Sequence, residues 1–110
     1  FKMLEITFKD HKIMIGKNQD ENDELVNNAE PDDYWLHLSN YPSPHVIIQN
    51  PNKKRIHNKI IKQAAYQLKI NTKYKNIPNI DVDIAKIKHI QQTNKPGMVI
   101  VNQLLKNIKI

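Results

Sequence analysis

Residues 31–48 read Pro31-Asp32-Asp33-Tyr34-Trp35-Leu36-His37-Leu38-Ser39-Asn40-Tyr41-Pro42-Ser43-Pro44-His45-Val46-Ile47-Ile48. The stretch holds the only tryptophan, two of the five histidines and half of the six prolines. Aromatic and β-branched residues suit a pleated, half-buried surface, so the two apolar runs predict two strands. Pro42 and Pro44 fix φ and remove backbone donors, which makes the connection between them stiff. In a strand, Tyr34, Leu36 and Leu38 share one face, while Trp35, His37 and Ser39 share the other. The first set is the predicted core face. The second then displays an aromatic ring and an imidazole side by side.

Working outward, a chain of 110 residues with 39% hydrophobic and 25% charged residues is expected to form one domain, 1–110, around one core. Without cysteine it has no disulfide framework, no thiolate metal site and no thiol chemistry, a composition expected of a reducing, cytoplasmic setting. No stretch approaches the ~18 apolar residues that a membrane span requires, and the first residues do not form a signal peptide. A first residue of Phe rather than Met suggests a chain trimmed or cut from something longer. The net charge of +6 is divided unevenly. Residues 1–52 hold four Lys against nine Asp or Glu, a balance of −5, and residues 53–110 hold thirteen Lys or Arg against two Asp, a balance of +11. Either the halves neutralise each other on folding, or one side of the molecule meets an anionic partner. Both can hold together.

Residues 3–8 and 11–15 read as a hairpin around Lys9-Asp10, and Gly16 ends the second strand where the backbone needs positive φ or close approach. Residues 18–30 read as an acidic, solvated connector in which 21–29 can form a short helix with Leu25 and Val26 inward. An EF-hand fails there, because Asp23 occupies the glycine position and Ala29 that of the bidentate Glu. Beyond Asn50-Pro51-Asn52, with Asn52 as the expected N-cap, Ile56, Ile60, Ile61, Ala64, Ala65 and Leu68 fall at helical spacing over about 53–70. Lys59, Lys62, Tyr66, Lys69 and Lys73 form a second, outward stripe. Residues 80–90 read as a strand whose alternation breaks at Lys86 and Lys88, which a bulge near Ala85 would reconcile. Thr93–Gly97 is a turn, and 98–101 and 104–110 close the fold. The expected class is α+β, a mostly antiparallel sheet packed by one long helix.

Lys53-Lys54-Arg55 is the strongest electrostatic feature. At a helix start, cations oppose the macrodipole unless an anion visits, and free N–H groups beside positive charge make a phosphate site. Neutralisation by the acidic half is the other reading. Trp35, Tyr34 and Tyr41 are the stacking candidates, since single-stranded nucleic acid pairs a basic track with aromatic faces. Trp35 also fits a core ring whose N–H meets a carbonyl, and Tyr41 is the one expected at the surface. His37 and His45, near Asp32 and Asp33, suit either a metal or acid–base pair or two hydrogen-bonded strand-end histidines. With no third ligand and no nucleophile elbow at Ser39 or Ser43, nothing here reads as an enzyme, and no metal or cofactor is called for.

Asp33-x-Trp35-Leu36-His37 followed by Pro42-x-x-His45-Val46-Ile47-Ile48 resembles the signature of the NFACT-R domain, the RNA-binding domain of the NFACT proteins. Gly16-Lys17-Asn18, Asn22-Asp23-Glu24-Leu25 and Lys95-Pro96-Gly97-Met98-Val99 are similar to its flanking elements and stand in its order, so the resemblance spans nearly the whole chain. The chain departs from the family pattern in two places. Pro42-Ser43-Pro44-His45 stands for the usual Pro-Gly-Ser-His, and Lys17 stands where Arg is common, giving up bidentate geometry. The resemblance implies a non-enzymatic module for structured RNA, tRNA or ribosome-associated RNA. The contacts it suggests are Lys53, Lys54, Arg55, Lys59, Lys62, Lys69, Trp35, His37, Tyr41, Ser43, His45, Lys17 and Asn18. With one Arg in the chain, those contacts would be to phosphate and shape. Docking on a ribosomal or other partner protein, and DNA binding, are the alternatives.

Overall fold

The computed structural model describes residues 3–110. Strands β1 (Leu4–Phe8) and β2 (His11–Ile15) form the expected hairpin. Lys9 and Asp10 both take positive φ, 51° and 67°, which matches the twist of a tight two-residue turn. Helix α1 (Gln19–Asn28) follows, then β3 (Tyr34–Leu38), β4 (Val46–Ile48), helix α2 (Asn58–Ile70) and β5 (Asp81–Lys86). A single 3-10 turn, Ile87–His89, leads to β6 (Ile90–Gln92), β7 (Val99–Val101) and β8 (Lys106–Lys109). The main sheet runs β1-β2-β4-β3-β5-β8 with every pairing antiparallel, and β6 and β7 pair as a separate ribbon.

The organising stretch supplies the two central strands, β3 and β4. Tyr34, Leu36 and Leu38 point into one core with Ile60, Ile61, Ala64, Ala65 and Leu68 of α2. Trp35 points the other way, into a smaller cluster with Leu25, Val26, Ile47, Ala85 and Ile87. The α+β, mostly antiparallel class holds, but one long helix does not describe it. Helix α1 is a second packing element rather than a solvated connector, and it lies across the sheet from α2. Its low apolar content concealed this, because it buries Glu21 and Asn22 alongside Leu25 and Val26.

Two further expectations are corrected. Helix α2 starts at Asn58, capped by the His57 Nδ1 that accepts from the Lys59 N–H at 3.1 Å; Asn52 is no cap. Residues 53–57 instead run as a loop, because Ile56 must reach the core, where its N–H donates to the Tyr34 hydroxyl at 3.3 Å. Nor is there a bulge near Ala85. The strand ends at Lys86 and the 3-10 turn resets the phase, its N–H groups at Ile87 and Lys88 donating to Asp33 and Pro31 carbonyls. Gly16 serves close approach, not positive φ: a Cβ there would lie 2.2 Å from Asn22 Oδ1. Among the described residues, no helix is long and apolar enough to cross a membrane.

Candidate nucleic-acid interface

The basic loop is built from the buried polar groups beneath it. Asp33, 4% exposed, accepts from the Asn50 N–H through Oδ1 at 2.8 Å and from the Glu30 N–H through Oδ2 at 3.0 Å. Asn50 in turn donates its side-chain amide to the carbonyls of Asp32 (3.1 Å) and Lys54 (2.7 Å). The Lys53 N–H closes a turn on the Asn50 carbonyl, with Lys53 held at φ 58°. A left-handed non-glycine residue costs on the order of 1 kcal/mol and persists only where its surroundings impose it. Lys53, Lys54 and Arg55 are thus exposed side chains on a fixed backbone.

Lys59 and Lys62 continue this surface along the exposed side of α2, which carries three Lys and no acidic residue. Lys69 is half-buried and spends its ammonium on the Ile110 carbonyl at 2.9 Å. At the far end of α2, Tyr41 is 38% exposed and lies against Tyr74 with ring centroids 4.4 Å apart, and the Lys73 ammonium sits 5.5 Å from the Tyr74 ring. Among the described residues, only Lys88–Asp32 at 3.9 Å joins the basic half to the acidic half as an ion pair. Mutual neutralisation therefore does not silence Lys53, Lys54, Arg55, Lys59 or Lys62.

The remaining predicted residues gather on the opposite face, around Trp35. His37 stacks on the Trp35 ring with centroids 5.6 Å apart and planes 4° from parallel, and His45 meets both rings edge-on. Trp35 is only 2% exposed, which leaves it no free face for a base, and its N–H donates to His45 Nδ1 at 3.2 Å rather than to a carbonyl. Burial lowers the pKa of both imidazoles; His45, further depressed by His37, falls to about 4. Both are neutral near pH 7. The Ser43 hydroxyl accepts from the Leu38 N–H and donates to the Pro44 carbonyl, which holds the Pro-rich loop in place.

Lys17 and Asn18 belong to this face as well. Asn18 caps α1 by accepting from the Glu21 N–H at 2.9 Å, and Glu21 returns a bond to the Lys17 N–H at 2.9 Å, a reciprocal capping arrangement. With Asp20 and Glu21 in its first turn, that helix start is already supplied with negative charge. Lys95-Pro96-Gly97 closes in from the β6–β7 ribbon, where the Gly97 N–H donates to Asp23 Oδ1 at 2.9 Å. Among the described residues, no group of three or more His, Asp or Glu is placed to hold a metal. The two sets of predicted residues therefore do not form one surface. Lys86 and Lys106, which the sequence reading left out of the contact set, stand on the sheet opposite Tyr34 and Ile84.

The family model described as the NFACT protein RNA binding domain matches residues 1–102. The chain belongs to that family. Its NFACT RNA-binding domain is 34% identical over 90 residues to the Rqc2 homolog RqcH of Bacillus subtilis, covering 79% of this chain and 15% of that protein. The Rqc2 homolog RqcH of Streptococcus suis is 31% identical over 90 residues, covering 79% of this chain and 16% of its own. The chain thus spans less than a fifth of these relatives. A solved structure of the C-terminal part of the fibronectin/fibrinogen-binding protein from Streptococcus suis superposes with a TM-score of 0.88 at 25% identity, over all of this chain and 45% of that one. The convergence of the Gly16, His37–His45 and Gly97 elements gives the family pattern a physical reading: they lock α1 and the β6–β7 ribbon to the sheet.

Proposed function

We propose that this NFACT RNA-binding domain is a non-enzymatic module that takes structured RNA, tRNA or ribosome-associated RNA, by phosphate and shape contacts on its α2 face. The carrying observation is the run of exposed cations Lys53, Lys54, Arg55, Lys59 and Lys62, without ion-pair partners among the described residues, on a loop and helix face that hold no carboxylate. A backbone fixed by Asp33 and Asn50 spares the loop a backbone ordering cost at binding, and strain at Lys53 is what a functional loop retains. The stacked histidines on the other face are supports of the fold in this reading, not RNA contacts.

Fluorescence anisotropy of labelled tRNA against a length-matched DNA duplex, over a salt series, tests it. The expected result is binding that weakens with salt, each neutralised phosphate adding about −0.7 to −0.9 to the slope of log K on log salt. The variant with Lys53, Lys54 and Arg55 changed to Glu is expected to lose that binding. Preference for tRNA over the duplex separates RNA from DNA through A-form shape and the 2′-hydroxyl. No binding of either at low salt sinks the proposal.

Docking on a partner protein finds its support on the other face. There a groove of about 280 Å³ runs between α1 and the sheet, floored by Met14, Leu25 and Ile47 and rimmed by Glu24 and Glu30.

A further inference from the structure

Around the corner from α2, the end of β5, the 3-10 turn and the loop before β8 enclose a recess of about 260 Å³. Its walls are Lys86, Lys88, His89, Gln103, Leu104 and Leu105. The wall is pre-formed: the Asn102 N–H donates to the His89 carbonyl at 2.8 Å and the Leu105 N–H to the Ile84 carbonyl at 2.7 Å, pinning the loop at both ends. Leu104 and Leu105 are nevertheless 46% and 44% exposed, two adjacent leucines that the fold leaves facing outward beside two lysines. Lys86 has no ion-pair partner among the described residues, and Lys88 has only the 3.9 Å approach of Asp32.

The recess is linked to the proposed RNA surface through its neighbours in the sheet. Lys86 lies opposite Tyr34, whose hydroxyl holds the loop leading into α2. Lys106, opposite Ile84, donates to the Asn58 side chain at the first turn of that helix. Lys106 thus stands between the first turn of α2 and Leu105 of the recess wall.

We propose that this recess is a subsite for one unpaired nucleotide of the bound RNA. The lysines take its phosphate, the Leu104–Leu105 wall takes the face of the splayed base, and Gln103 and His89 meet the base edge. A recess with cations on one side and apolar wall on the other fits the two halves of a nucleotide, whereas paired bases turn no face outward. The Gln103 amide both donates and accepts, so the site tolerates any base. The inference rests on the RNA reading of the α2 face and adds to it a preference for bulged, looped or overhanging RNA.

An RNA hairpin with one bulged nucleotide, compared by anisotropy with the same hairpin fully paired, tests it. The expected result is roughly tenfold tighter binding of the bulged form, the order of effect of burying one base face against an apolar wall. Changing Leu104 and Leu105 to Ser should erase that preference while leaving the paired hairpin bound as before, with thermal melts confirming the fold. Gln103→Ala, an exposed single change that removes the base-edge contact, should erase it independently. Lys86→Gln should lower the salt slope by about one. Equal binding of the two hairpins by the unaltered protein overturns the subsite and leaves the α2 reading standing, and a preference surviving both changes overturns its location. If neither hairpin binds, the RNA reading falls, and the subsite with it.

Discussion

On one side of the sheet, Tyr34, Leu36 and Leu38 meet Ile60, Ile61, Ala64, Ala65 and Leu68, a core in which nearly every atom is apolar. On the other side the same strand offers Trp35 and His37 to a helix that buries Glu21 and Asn22, next to a buried His45. The α2 side is held by burial, which is non-directional and insensitive to pH. The α1 side is held by directed bonds: Asn22 Oδ1 accepting from the His45 N–H at 3.0 Å, Trp35 donating to His45, and Asp23 accepting from Gly97. The difference bears on function. An apolar anchorage leaves the outer side of α2 free to carry only cations, while the α1 side concentrates the acidic residues and spends its polar groups internally.

The largest expected effect breaks the apolar side. Leu36, fully buried on a central strand, faces α2, and Leu36→Ala should cost about 2–5 kcal/mol in urea unfolding. That loss should be the same at pH 7 and pH 5, because no titrating group faces the gap. A loss that changes with pH would contradict the division between the two sides.

Next in size is the response of the α1 side to acid. The His45 pKa is lowered from 6.5 to about 4 by burial and by His37, against the opposing pull of Asp23 and the Gly97 backbone. The unfolded chain therefore takes up a proton that the folded one refuses. Stability is fully present above about pH 6.5 and is lost as the pH falls toward 4, by about 3 kcal/mol at 1.36 kcal/mol per unit. His37, lowered in the same direction, adds to it. Urea midpoints between pH 7.5 and 4.5 should fall in the wild type and fall less in a His45→Gln variant; parallel curves would remove His45 from the account.

The apolar side was legible because alternation in 34–38 and helical spacing in 56–68 both report burial directly. The other side was not. Residues 19–28 have little apolar periodicity, and what packs α1 is the pairing of Asn22 with His45, twenty-three positions away, which no local pattern announces. The resemblance named Gly16-Lys17-Asn18, Asn22-Asp23, His45 and Lys95-Pro96-Gly97 together, and gave Lys17, Asn18 and His45 as RNA contacts. In the structure the Lys17 N–H and the Asn18 side chain cap α1, and the His45 N–H ties that helix to the sheet. Asn52 misled because a good capping residue sat two positions after Asn50, the asparagine that anchors the loop.

A smaller effect sharpens the lock itself. Asn22→Ala leaves the His45 N–H buried without its acceptor and should cost about 1–3 kcal/mol. Gly16→Ala places a methyl against the same Asn22 amide, so it should cost less in the Asn22→Ala background than alone. Additive losses would mean that the glycine answers to the α1 backbone rather than to the amide.

The smallest stability change discriminates most finely. Lys59→Glu with Lys62→Glu on α2, and Glu24→Lys with Glu30→Lys beside α1, alter exposed residues and should each shift stability by no more than about 0.5 kcal/mol. Acid at position 59, in the first turn of α2, favours its dipole, so the first pair need not destabilise at all. RNA affinity should move in opposite directions, falling for the α2 pair and holding or rising for the α1 pair. Two such reversals lower the net charge from +6 to +2, and the other two raise it to +10, so either change alone confounds site with total charge. Combining all four restores +6. A four-fold variant that still fails to bind tRNA places recognition on the α2 face; one that binds like the wild type shows that net charge alone attracts the RNA, and the contrast between the faces would then have no part in it.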